Sequence, residues 1–573
     1  MKSIVDGVVM EGKTVRNALV AVFALVVGAA MPSFAAERVV ADSYQLTANE
    51  DWTGDTVTLE AGATVDLAGF KLVLGIPTLT DTATFIDTSA DAPGELRFTI
   101  PENETFEKTA ALGISGNLSL VKDGPGTFLW SHDAESALSA AIPVLVTNGV
   151  FKIGATTGNL FGAGGTVAVK APGQFDINTA QQKGPVRART FYIEGDGPDG
   201  SGAIVNSAAN TQWGYQLNKI VLTGDATIGG RGYIELRDSG NGINCGGYEL
   251  TVKNTGRLLV EAGTYLTNAT DIVISGGTLQ VCNSCVLGAE RIVLENGGTF
   301  LNFMSSGTKQ YDVPFVVREG SGTIRSSNKY YTLSGAITVQ AGTTLNCTTI
   351  GPWYSGAITN ETDATLNISG ESSVCGGIFR NDGTVNHTAA KFVLGHRDNA
   401  NSPCRVENNG TIKTSGGTFQ FKAESSMTGT GTLDLAGGSP SVAGALSGFT
   451  GTIRVSGATA TINNIATFPG TLVLADGVVS TSLASVTCGV VFDISDKTET
   501  FAVPGSWLTL PSGSEVLVDV GERELQYGDR LLSWTTAPSN VRFKLLGEHK
   551  GVLSKDATGV VYEKPKGTVI IFR

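Results

Sequence analysis

Short stretches of alternating polar and apolar residues recur along this chain. Thr278-Leu279-Gln280-Val281 alternates in this way, as do Thr411-Ile412-Lys413-Thr414 and Thr452-Ile453-Arg454-Val455. A period of two places the apolar set on one face of a strand. Each stretch is short and follows Gly, Asn or Asp, which predicts turns with positive φ. The opening phrase itself repeats. With its threonine as marker it occurs at Thr278, Thr299, Thr323, Thr344, Thr365, Thr384, Thr411, Thr432, Thr452 and Thr471, at intervals of 19 to 27 residues and a mean of about 21. Looser copies stand upstream at Thr64, Thr127 and Thr166.

A strand of four or five residues cannot bury a face alone, but it can when stacked on like neighbours about 4.8 Å away. The pattern therefore predicts an all-β chain: a single-stranded, right-handed parallel β-helix of about 21 residues per coil. Some 450 residues would make about 21 coils, a rod on the order of 100 Å. The rival, a series of antiparallel sandwiches, needs hairpin signals every 8–12 residues. The pairs Asn148-Gly149, Asn241-Gly242, Asn296-Gly297 and Asn409-Gly410 instead fall before repeat strands. The predicted organisation is a signal peptide over 1–35, the β-helix over 36–490, and a small β-rich cap or sorting domain over 491–573. Within that cap, Val516–Val520 and Thr568–Phe572 are expected to cover the open edge of the last coil.

Composition narrows the class further. Glycine contributes 74 of 573 residues and charged residues only 16%, which disfavours a helical bundle. The formal net charge of −13 argues against a nucleic-acid partner. Lys13 and Arg16, the apolar run Ala18 to Ala30 and the small residues Ser33 and Ala35 have the form of a secretory signal. They predict cleavage between Ala35 and Ala36, with the next bond as the alternative, and a secreted or cell-surface address. No later segment is apolar for long enough to be a transmembrane helix.

Gly116-Asn117-Leu118-Ser119-Leu120-Val121-Lys122-Asp123-Gly124-Pro125-Gly126-Thr127-Phe128-Leu129, followed by Asn148-Gly149-Val150-Phe151-Lys152-Ile153-Gly154, resembles the autotransporter-associated β-strand repeat. Pro125 and Phe128 depart from its pattern. The stretch Glu194 to Asn206, leading into Ile220 to Gly230, is similar to a segment that accompanies those repeats. The close match spans about 110–260. The resemblance implies a Gram-negative-type bacterium, export across the inner membrane, a β-helical surface region and repeats without catalytic residues. An autotransporter also needs a C-terminal outer-membrane barrel, for which the residues after 490 are too few. Separate outer-membrane export machinery is the implied partner.

Candidate chemistry is sparse. Seven cysteines allow at most three internal disulfides. In-phase stacking would bring Cys375 and Cys404 together, a possible disulfide; small buried hydrophobes are the alternative. Cys282 and Cys285 have the spacing of a redox or zinc half-site, but no second pair follows at zinc spacing and no histidine lies nearby. The histidines, at 132, 387, 396 and 549, do not recur with the repeat, although His396 falls in the 27-residue interval, where a loop is expected. Asp196 and Asp199 could hold Ca²⁺ or simply form acid–glycine turns. Eight Asn-x-Ser/Thr sequences read either as glycosylation acceptors or as stacked polar ladders. Trp213, Tyr215, Trp353 and Tyr354 are candidate exposed aromatics or core. The sequence thus predicts a structural or adhesin-like protein with no catalytic residues, no metal and no cofactor, contacting extracellular glycans or surface proteins. A β-helical polysaccharide lyase or glycoside hydrolase is the alternative. It requires convergent carboxylates, or Ca²⁺-binding acids with a base, and the signatures of pectin-degrading β-helices are absent as a set.

Overall fold

The computed structural model describes residues 35–567 except 80–82, 109–112, 132–141, 155–164, 179–188, 210–215, 237–239, 262, 283–284, 304–308, 328–330, 375, 389 and 396–401. It is a parallel β-solenoid of about 19 turns with a spacing of roughly 23 residues. The turn is thus somewhat longer than the 21 residues read from the threonine markers, which sample the more regular half of the chain.

A regular turn carries three strands. Thr365–Ile368, Glu371–Val374 and Ile378–Asn381 form one; Thr384–His387, Lys391–Leu394 and Arg405–Asn408 form the next. Each strand pairs in parallel with its counterpart one turn on. Inward positions stack into columns such as Leu345–Leu366–Val385–Ile412–Leu433–Ile453–Leu472, all nearly solvent-free. Aromatic residues stack in the same way. Phe128 lies 5.2 Å from Phe151 and Phe151 5.5 Å from Phe175, each pair within 7° of parallel. A phenylalanine in place of the repeat's leucine at 128 is thereby accommodated, since rings at the coil spacing form offset stacks.

The marker threonines pair in register from Thr278 through Thr299 to Thr323 and again from Thr344 through Thr471. Between these blocks the register slips by two, and Thr344 pairs with Ser321. A slip of two keeps every side chain on its own face, so the core continues across it.

Parallel stacking runs past residue 490 through Gly489–Asp493, Glu515–Asp519 and Arg542–Leu545. Val516 and Val518 continue the inward columns, so this segment is an internal rung and not the edge cover expected from the sequence. Among the described residues, the antiparallel pairs are those joining Gly559–Glu563 to Arg530–Ser533 and Val552–Lys555. Thr568–Phe572 lies outside the described residues.

Candidate functional surface

The Gly-Thr phrase owes its form to the approach of successive turns. A Cβ added at Gly431 would lie 2.6 Å from Asn409 C and 2.8 Å from Gly410 N, and closer still to Gly410 O. Gly383, Gly410, Gly451 and Gly470 meet the backbone of the preceding turn in the same way. None of these five has a left-handed φ. The expectation of positive φ before each strand is therefore corrected here: these glycines are required by proximity. Asn296-Gly297 does adopt left-handed φ at both residues, 51° and 87°, as the turn reading expects.

An asparagine ladder fastens the same corner. Asn360, Asn381 and Asn408 are fully buried. Asn360 Nδ2 donates to Asn381 Oδ1 at 2.8 Å, and Asn381 Nδ2 to Asn408 Oδ1 at 2.7 Å. Each also donates to the carbonyl of the threonine opening a strand in the following turn: Thr384 at 3.1 Å, Thr411 at 3.2 Å and Thr432 at 3.0 Å. A second ladder runs outside, where Asn367 donates to Asn346 and Asn386 to Asn367, both at 3.0 Å. The polar-ladder reading of these Asn-x-Ser/Thr positions thus matches their hydrogen bonds. The sequence signal for the buried ladder is the asparagine three residues before Thr384 and Thr411.

Lys122, the lysine of the repeat-like stretch, is also structural. It is 1% exposed, and its Nζ donates to the carbonyls of Gly124 at 2.7 Å, Asp123 at 2.9 Å and Asn148 at 3.0 Å. Burial lowers its pKa to about 8, against a small opposing effect from Asp123. The space around Gly149 is taken by this ammonium and by Gly124 and Gly126. The Lys-x-Gly-x-Gly phrase and the later Asn-Gly phrase therefore make a single corner.

The other candidates fall as follows. Ala35 and Ala36 begin the described residues; Ala36 N donates to Asp55 at 3.0 Å. Cys404 is buried, whereas its candidate partner Cys375 lies outside the described residues. Cys285 is in the core and Cys282 is half-buried; burial pushes their thiols up to about 12 and about 11, which suppresses thiolate chemistry. His387 is fully buried beside Phe392, and half-buried His549 contacts the Leu546 carbonyl at 2.9 Å. His132, His396, Trp213 and Tyr215 lie outside the described residues, as does the Trp353 side chain. Tyr354 is core, its hydroxyl 2.8 Å from Cys347 Sγ. Gly395 to Cys404 joins two strands where the adjacent turns use only Cys375–Gly377 and Lys422–Ser425, so the long interval does insert a connection at this corner.

Acids are engaged by groups of their own and of neighbouring turns. Asp199 accepts from Ser201 N at 3.0 Å and Gln174 Nε2 at 3.3 Å, and Asp196 from Thr227. Arg97 bridges Glu95 at 2.8 Å and Asp123 at 2.6 Å. Burial pushes Asp123 up, but hydrogen bonds from Gly124 N and Arg97 outweigh it and hold the carboxyl below its ordinary value. Among the described residues, no group of three His, Cys, Asp or Glu side chains is placed to hold a metal. No helix among them is long and apolar enough to cross a membrane.

Fold and surface together define a β-solenoid repeat protein with hydrogen-bonded polar ladders at its corner and on its outer face. No family model, curated protein or solved structure matches the chain.

Proposed function

We propose that this chain is a secreted or cell-surface, adhesin-like structural protein, related in kind to the autotransporter-associated repeats and without catalytic residues of its own. The observation that supports this reading is the use of its polar side chains to bind one turn to the next. Asn346, Asn367 and Asn386 form a ladder, Arg97 spans Glu95 and Asp123, and Asp199 is held by Ser201 and Gln174. Such cross-links suit a long, rigid, protease-resistant surface. In this reading residues 1–35 direct export, separate outer-membrane machinery completes it, and exposed rows contact extracellular glycans or surface proteins.

The test is a glycan and polysaccharide array with protein beginning at Ala36, scored for retention and for product release. Saturable retention without new reducing ends or unsaturated products is expected. Release of either product would establish the polysaccharide lyase or hydrolase alternative and refute the proposal.

A further inference from the structure

One outward row on the sheet carrying the threonine markers is buried. Leu259, Gln280 and Leu301 occupy adjacent rungs at 2%, 1% and 5% exposure. Arg325 stands next on the same row. Arg257, from the rung of Leu259, lies across the patch. Its guanidinium sits 5.1 Å from the Tyr233 ring centre, and its Nη1 donates to Gln280 Oε1. Between the two arginines is a cavity of about 300 Å³ lined by Arg257, Leu301, Phe303, Arg325, Ser326 and Ser327.

Both guanidiniums carry an unmet demand here. The Nε of Arg257 and the Nε of Arg325 are shielded from solvent and have no hydrogen-bond partner. A buried donor left unpaired is costly. The Nε atoms themselves are covered, but both guanidiniums line one cavity, and two cations so placed are what an anionic group would pair with through their remaining N–H donors. The cations stand over an apolar floor of Leu301 and Phe303, in a chain whose net charge is −13. Repulsion of an anion by the molecule as a whole would therefore have to be overcome locally, by these two arginines.

We propose that this cavity binds an acidic sugar, with its carboxylate or sulfate between Arg257 and Arg325 and its ring against Phe303. The volume admits one monosaccharide unit, and Ser326 and Ser327 are among the residues that line it. The proposal rests on the glycan-contacting reading above and names the ligand class. Arg325 is the informative residue because Arg257 also holds Gln280.

The experiment is calorimetric titration of the chain from Ala36 with three probes: a galacturonate trisaccharide, a sulfated disaccharide and a neutral galactose trisaccharide. At least one anionic probe is expected to bind ~10-fold or more tightly than the neutral one, and Arg325→Gln to reduce that binding by ~10-fold, the effect of one charge-assisted pair. Which anionic probe binds distinguishes carboxylate from sulfate. Phe303→Ala, which keeps both cations, should weaken the same probe. Equal affinity for neutral and anionic probes, no binding of either anionic probe, or an Arg325→Gln variant indistinguishable from the parent would overturn the proposal. Retention of other glycans on the array would survive those results, so the pocket can fail while the adhesive reading stands.

Discussion

Replacing Gly431 by alanine separates two accounts of the Gly-Thr phrase by the sign of the effect. If the glycine served only a turn, alanine at a φ outside the left-handed region would stabilise the chain by about 0.4–1 kcal/mol through the unfolded state. The structure demands the opposite. The new methyl would sit 2.6 Å from Asn409 C and 2.8 Å from Gly410 N, where a Cβ needs about 3.0 Å. Relief requires the two turns to part by a sizeable fraction of an ångström, in an interior with little free volume. That opening stretches the bonds from Thr432 N to Gly410 O, now 2.8 Å, and from Gly431 N to Asn408 O, now 2.9 Å. Overpacking costs about 1–3 kcal/mol, and a buried hydrogen bond lost costs about 1–3 kcal/mol more. After the unfolded-state gain of about 0.4–1 kcal/mol, a net loss of about 1–5.6 kcal/mol remains. A solenoid need not unfold in one step, so the assay is amide exchange read locally. Amides of 411–455 should exchange about 5- to 10,000-fold faster, at about 1.4 kcal/mol per decade. Gly54→Ala is the control, because its added Cβ meets nothing within 4 Å and its φ is not left-handed. A Gly431→Ala protein as protected as the parent would refute the close-approach argument.

Asn381→Leu should remove the middle rung of the buried ladder and cost about 2–4 kcal/mol, with faster exchange confined to the adjoining turns; an unchanged urea midpoint would count against the ladder as a stabilising element. Leu279→Asp buries an unpaired carboxylate in a fully enclosed position and should lower the local melting temperature sharply, whereas Thr278→Asp on the half-exposed face should be mild. For Lys122, the folded-state pKa near 8 lies below the ordinary 10.5. The unfolded chain therefore binds more protons between those values, and the unfavourable burial of the ammonium is relieved as pH rises. The stability of the parent relative to Lys122→Met should then increase from about pH 8 to 10.5, and a flat difference in urea titrations would contradict the lowered pKa. Asp123 has the opposite dependence. Its carboxyl is held low in the folded state, so its contribution is present above the ordinary carboxylate range and is lost on acidification, a slope that Asp123→Asn should abolish.

The sequence by itself determined the architecture. The two-residue alternation at Thr411–Thr414 and Thr452–Val455, repeated at a near-constant interval, has few packed solutions, because strands so short must stack to bury one face. The inward direction of Leu279 and the paired threonine columns were legible for the same reason: faces follow from a period of two. Tertiary structure alone decided what the repeated residues do. Gly410 and Gly431 looked like turn formers, yet their constraint is the backbone of another turn, some twenty residues away in sequence. Asn381 and Asn408 carried a visible spacing, but the spacing does not say whether an amide faces solvent or the core, which depends on the path of the corner. Arg257 and Arg325, 68 positions apart, meet over one cavity because stacking compresses each turn to about 4.8 Å of axis. Local pattern specifies strand and face, which depend on adjacent residues. Sites depend on distances between turns, and those exist only once the chain has stacked.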